Sequence, residues 1–168
     1  MPNHIKNKVT LQGDAKKVQE VIRFMGNRMD FNKIIACPKE LEDESAVFGD
    51  VNPDFLQKYG ASNWYDWRLA NWGTKWNAYS MYDESEKKAP HLEGNTYTFW
   101  TAWACPASAI RGLSKMFPEV TFEILFADED TGYNCGKYVM KDELVVDLWF
   151  PEDGSDEAEE FANDLWGE

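Results

Sequence analysis

The residues able to do chemistry in this chain are few and scattered. Its three cysteines, Cys37, Cys105 and Cys135, are isolated, and His4 and His91 lie far from them in sequence. A structural zinc or iron–sulfur site draws four ligands, normally from close Cys or His pairs, so no metal site is read. Cys105 precedes a predicted helix, where a thiolate would be favoured. With two histidines and no local signature, though, ordinary thiols are the better account of the cysteines. Glu123 and the turn Asp128–Asp130 could oppose two carboxylates, yet turns are commonly acidic for conformational reasons alone. There is no Gly-rich phosphate loop, and no cofactor is implied.

The densest feature is Trp64-Tyr65-Asp66-Trp67-Arg68-Leu69-Ala70-Asn71-Trp72-Gly73-Thr74-Lys75-Trp76, four of the eight tryptophans in thirteen residues. Trp64, Trp67, Trp72, Trp76 and the distant Trp103, with Arg68 and Lys75, could line a cleft that stacks a planar ligand or a nucleobase. The structural account is favoured: these rings close the sheet against an insertion, with Asn71 and Thr74 bonding the indole N–H groups and the turn. Gly73 then supplies a positive φ.

The elements that must position these residues follow from periodicity. His4–Gln12 alternates as a half-buried strand. Asp14 caps a helix carrying Val18, Val21, Ile22 and Met25, closed by Gly26. Asp30–Ala36 reads as a short extended piece. Lys39–Asn63 reads as an irregular insertion with one short helical turn, and Ser62 or Asn63 caps a helix through Trp72. Thr74–Met81 looks extended, and Asp83–Asn95 an exposed polar loop. Thr96–Ala104 is a strand with Tyr97, Phe99, Thr101 and Trp103 on one face. Pro106 opens a helix with a face of Ile110, Leu113, Met116 and Phe117. Val120–Ala127, Tyr133–Met140 and Glu143–Phe150 are strands, and Ser155 caps a final helix with Ala158, Phe161, Ala162 and Leu165 inward.

With the insertion at about 38–72 set aside, this order is the split strand-helix-strand pattern of an α+β, ferredoxin-like fold, an antiparallel sheet with helices packed on one face. At 168 residues a single domain is expected, its core at about 3–140 and a C-terminal strand plus acidic helix at 142–168.

Net charge is −13, but eleven acids and no Lys or Arg fall between Asp142 and Glu168, against 19 acids and 17 bases elsewhere. This disfavours polyanions, whose affinity comes from Lys and Arg, and favours a basic partner surface. The plainer account is a solvated acidic face. No apolar run approaches a membrane span, the N-terminus lacks a signal-like apolar stretch, and scattered thiols suit a reducing compartment. A cytoplasmic protein is expected.

Four blocks carry a family likeness: Asn3-His4-Ile5-Lys6-Asn7-Lys8-Val9, Asn71-Trp72-Gly73-Thr74-Lys75-Trp76-Asn77-Ala78, Phe99-Trp100-Thr101-Ala102-Trp103 with Pro106, and Phe117-Pro118-Glu119-Val120-Thr121-Phe122. Over roughly Asn3 to Lys137 the chain resembles the YubB-like, or Api-like, proteins of phages and plasmids. The resemblance implies a ferredoxin-like fold and a mobile-element origin, with no activity and no iron–sulfur cluster attached.

Three functions compete. The leading one is a non-enzymatic binder whose acidic end, with Asp156, Glu157, Glu159 and Glu160 on a folded helix, faces a basic surface of a host protein. The second is a single-stranded nucleic-acid module using Tyr97 and Phe99 on the open sheet. The third is an enzyme acting on a small molecule in the Trp-lined region.

Overall fold

The computed structural model describes residues 1–43, 51–80 and 90–167. The first strand, β1 (His4–Gln12), buries every second residue, Ile5, Asn7, Val9 and Leu11, as its alternation requires. The helix α1 (Ala15–Met25) begins where the Asp14 carboxylate accepts the Lys16 and Lys17 N–H groups, and it buries Val18, Val21 and Met25.

The stretch expected to be extended after Asp30 is instead a single helical turn, α2 (Phe31–Ile34). Asp30 accepts the Asn32 N–H, and buried Phe31 packs its ring on Trp72 and Phe99. Those distant contacts override the extended preference of Ile34 and Ile35. The insertion is likewise more helical than its sequence suggests. It holds α3 (Lys39–Glu42), α4 (Pro53–Tyr59) and α5 (Trp64–Asn71). Asn52 and Asn63 cap the latter two, and Pro53 occupies the first turn of α4. Residues 44–50 of that insertion lie outside the described residues.

Thr74–Ser80 forms no strand; its one ladder contact is Tyr79 with Trp100. Asn77 accounts for this, since its amide bonds the Phe31 N–H and the Asp30 carboxylate and draws the chain away from the sheet. Of the expected polar loop, residues 83–89 lie outside the described residues. The rest is ordered differently. His91 is buried, and β2 (Leu92–Glu93) turns through Gly94 and Asn95 into β3 (Thr96–Ala102). Then come α6 (Ala107–Met116), β4 (Thr121–Asp128), β5 (Cys135–Lys141), β6 (Leu144–Trp149) and α7 (Asp156–Trp166). Met116, expected on the inner face of α6, points outward, while Ala109, Ile110 and Leu113 are buried.

All six strands form one antiparallel sheet in the order β2-β3-β1-β4-β5-β6. Within it, β1-α1-β2-β3-α6-β4 has the ferredoxin-like order, and β5 and β6 extend the sheet beyond β4. Register assigns the faces. Val9, Tyr97, Ile124 and Tyr138 share one face and meet the main core beneath α1 and α6. Leu125, Ala127 and Cys135 share the other, where α7 lays Ala158, Ala162 and Leu165 over them. The two ferredoxin-like helices thus cover one face, and the C-terminal helix covers part of the opposite one.

Candidate binding surfaces

The tryptophan run divides into two structures with different roles. Trp67 and Trp72 are core residues. Trp72 has no exposed surface, meets Phe31 and Trp67 at 5.7 Å between ring centroids, and donates its indole N–H to the Ile35 carbonyl at 3.0 Å. The Arg68 guanidinium lies against the Trp64 and Trp72 rings at 4.9 and 5.1 Å and pairs with Glu42 at 3.4 Å. Asn71 and Thr74 do not serve the indoles as expected. Their side chains donate to the carbonyls of Trp67 and Ala102. Gly73 does adopt φ +82°, and a β-carbon there would press within 3.3 Å of the Cys105 carbonyl and the Ser108 nitrogen. That closeness lets the turn pack on the start of α6.

Trp76 and Trp103 are separate from this core. Both are exposed, and between them sits Lys75, its Nζ 4.3 Å from the Trp76 centroid and 3.7 Å from that of Trp103. Trp103 does not share a face with Tyr97 and Phe99, because the strand ends at Ala102 and Trp103 takes φ +65°. Its N–H donates to the Asn3 carbonyl and its own carbonyl accepts from Asn134, which hold this uncommon backbone in place.

The sheet aromatics proposed for nucleobase stacking are not available to a ligand. Tyr97 and Phe99 are buried under the helices. The Tyr97 hydroxyl donates to the Gly26 carbonyl at 2.6 Å, and burial pushes its pKa up to about 12. The opposite face is aromatic as well, and the structure assembles there a belt whose members the sequence does not bring together. There His4, Tyr79 and Trp100 contact one another, and Trp166 from α7 meets Trp100 at 5.3 Å. The register pair His4–Ala102 beside Lys6–Trp100 was the signal, visible only once the strand pairing is known.

The acidic C-terminal segment is a formed helix. Ser155 accepts the Ala158 N–H at 3.2 Å, and Asp156, Glu157 and Glu159 occupy the first turn, where the helix dipole favours them. Trp166 donates its indole N–H to the Ala127 and Asp128 carbonyls, fixing the other end. Asp156, Glu157, Glu159 and Glu160 all face solvent, and none has a Lys or Arg partner among the described residues.

Residues 71–167 match the family described as the ferredoxin-like domain in Api92-like protein. The chain belongs to that family. No curated protein and no solved structure matches it. The matched span runs from the last residue of α5 through α7, so the acidic helix, outside the region of resemblance seen in sequence, is part of the family domain. Strand β1 lies N-terminal to the match, yet it occupies the middle of the sheet.

The remaining chemistry candidates resolve into structural roles. Burial pushes the Cys105 thiol pKa up, the opposite of what a nucleophile needs, and Cys37 and Cys135 shift the same way. Glu123 and Asp128 cannot form a carboxylate pair, since register puts them on opposite faces of β4. Asp128 accepts from Asn3, Asn134 and the Asp130 N–H, and so ties the turn together. Among the described residues, no three His, Cys, Asp or Glu side chains could hold a metal ion, and no helix is long and apolar enough to cross a membrane.

Proposed function

We propose that this protein acts by binding, presenting the outer face of α7 to a basic surface of a host protein. One observation carries the reading. The acidic segment is a helix anchored along one side by Ala158, Ala162 and Leu165, with its carboxylates on the other side. Residues Asp156 to Asp164 span about 12 Å at the usual helical rise. Anchoring fixes the carboxylate spacing in advance, so a partner would meet an ordered array and lose less conformational entropy on docking. A disordered acidic tail would offer the same charge without that order. The mobile-element origin implied by the sequence resemblance, and a cytoplasmic setting, are consistent with a host-protein target.

The competing functions have less support. Tyr97 and Phe99 are beneath helices, and α7 brings negative charge to the opposite sheet face, which disfavours a nucleic-acid strand there. Where a Trp-lined cleft would hold a small substrate, Trp67 and Trp72 fill the space themselves.

The test is affinity capture from bacterial lysate at low and moderate salt, comparing the parent with D156N/E157Q/E159Q/E160Q. A basic protein retained at low salt and reduced at least tenfold by moderate salt or by the four neutral substitutions is expected. Retention equal to the parent's in the neutralised variant would overturn the reading.

A further inference from the structure

The two edges of the sheet are built differently. At one edge, β2 is only two residues long and Tyr79 bonds the next stretch of β3. Short and covered edges resist further pairing. The other edge is β6, six residues long and bonded only to β5 among the described residues. Leu144, Val145, Val146, Leu148 and Phe150 are each 43–64% exposed along it. Long apolar edges are normally blunted with lysine or proline. Here the one interior charge is Asp147, whose carboxylate is 3.7 Å from Lys137 of the neighbouring strand. A bulge between Val139 and Met140 in the pairing with β6 discourages flat stacking but leaves Asp147 to Trp149 in regular register.

Charge at the ends of β6 indicates the occupant. Asp142 and Glu143 precede the strand, and Glu152 and Asp153 follow it closely. Glu143 has Lys115 at 3.9 Å, while the other three have no basic partner among the described residues. A second copy pairing antiparallel would set one pair of acids against the other, and a parallel copy would set each against its own counterpart. Either arrangement opposes like charges. A segment with an apolar middle and basic ends matches both features.

We infer that the β6 edge accepts an extended segment of a partner protein, apolar in its middle and bracketed by lysine or arginine, as an added strand. Main-chain hydrogen bonds along the edge would give affinity, and the flanking acids would select for charge. The inference rests on reading the protein as a binder of basic partners, and it assigns that partner a second contact along β6, whose last residue, Trp149, meets Phe161 of α7.

The probe is a labelled nonapeptide with two lysines at each end and five alternating valines and threonines between them. Its counterpart carries glutamates in place of the lysines. The full chain is expected to bind the lysine peptide at least tenfold more tightly than the glutamate peptide. L144K/L148K, which alters only exposed side chains, should weaken binding at least tenfold. Hydrogen exchange on the unaltered protein gives a readout independent of any variant: amides of Leu144–Trp149 should slow at least tenfold on saturation. Equal affinity for the two peptides, or slowing confined to α7, would overturn the inference, as would a dimer in ultracentrifugation that L144K/L148K dissolves. The neutralised α7 variant separates the two proposals. If it keeps the peptide but loses the host partner, both stand. If host partner capture survives in L144K/L148K and the lysine peptide fails to bind, the edge proposal alone falls.

Discussion

Trp72 and Trp103 illustrate how one residue type serves two purposes in this chain. Trp72 is enclosed by Phe31, Trp67 and Arg68, with its N–H satisfied by Ile35. Removing it leaves a ring-sized cavity, so W72A should cost about 3–5 kcal/mol. Trp103 is 48% exposed and sits at φ +65°, a conformation bulky residues seldom adopt. W103G relieves that backbone while giving up the contact with Lys75, about 0.5–1 kcal/mol at an exposed site. These effects oppose each other, and the variant should stay within about 1 kcal/mol of the parent. Urea unfolding of both variants measures the contrast; comparable losses would show that Trp103 is also a packing residue.

Among the elements, α7 depends on its cap. S155A removes the acceptor for the Ala158 N–H and should cost about 1 kcal/mol. Exchange of α7 amides should quicken, with β1 and β4 amides changing only by the global loss; uniform quickening would mean that α7 does not open on its own. The helix was legible in sequence because Ser155 and the spacing of Ala158, Phe161, Ala162 and Leu165 express its cap and its buried face together. The alternation of β1 was legible for the same reason. Which sheet face α7 would cover was not, because β4 is apolar on both sides, Phe122 and Ile124 on one and Leu125 and Ala127 on the other. Of the short helices, α2 was not legible and α3 and α4 only as a single helical turn, because four to seven residues carry little periodicity and Phe31 is fixed by Trp72 and Phe99 far along the chain. At the candidate surfaces, the grouping of Lys75, Trp76 and Trp103 depends on a positive φ that alternation cannot register. Glu143–Phe150 is legible as a strand, and it is the pairing order that leaves it at an edge.

For the molecule as a whole, His91 joins parts of the fold that are distant in sequence. Its Nδ1 accepts the Met29 N–H at 2.9 Å, and the backbone N–H groups of His91 and Leu92 donate to the Asn27 carbonyl. The α1–α2 connection is thereby held to the β2–β3 hairpin. Burial, aided by the nearby Arg28 charge, lowers the imidazole pKa to about 4, so the native ring is neutral. An unfolded histidine titrates near 6.5. Between those values the unfolded chain binds the proton and the native one does not, so stability is fully present above about pH 6.5 and is lost as pH falls toward 4. The loss should be about 3 kcal/mol at the acid end of that window. Acidification also reduces the net charge of −13, which eases self-repulsion and acts in the opposite direction. The difference between parent and H91F isolates the histidine. H91F should be less stable at pH 7.5, by about 1–3 kcal/mol, because the buried Met29 N–H loses its acceptor. Its melting temperature should then fall less steeply between pH 6.5 and 4, so the gap between the two proteins narrows on acidification. Parallel melting curves across that range would mean that the native state takes up the proton at His91 as readily as the unfolded chain, and that this clamp opens without unfolding the rest of the sheet.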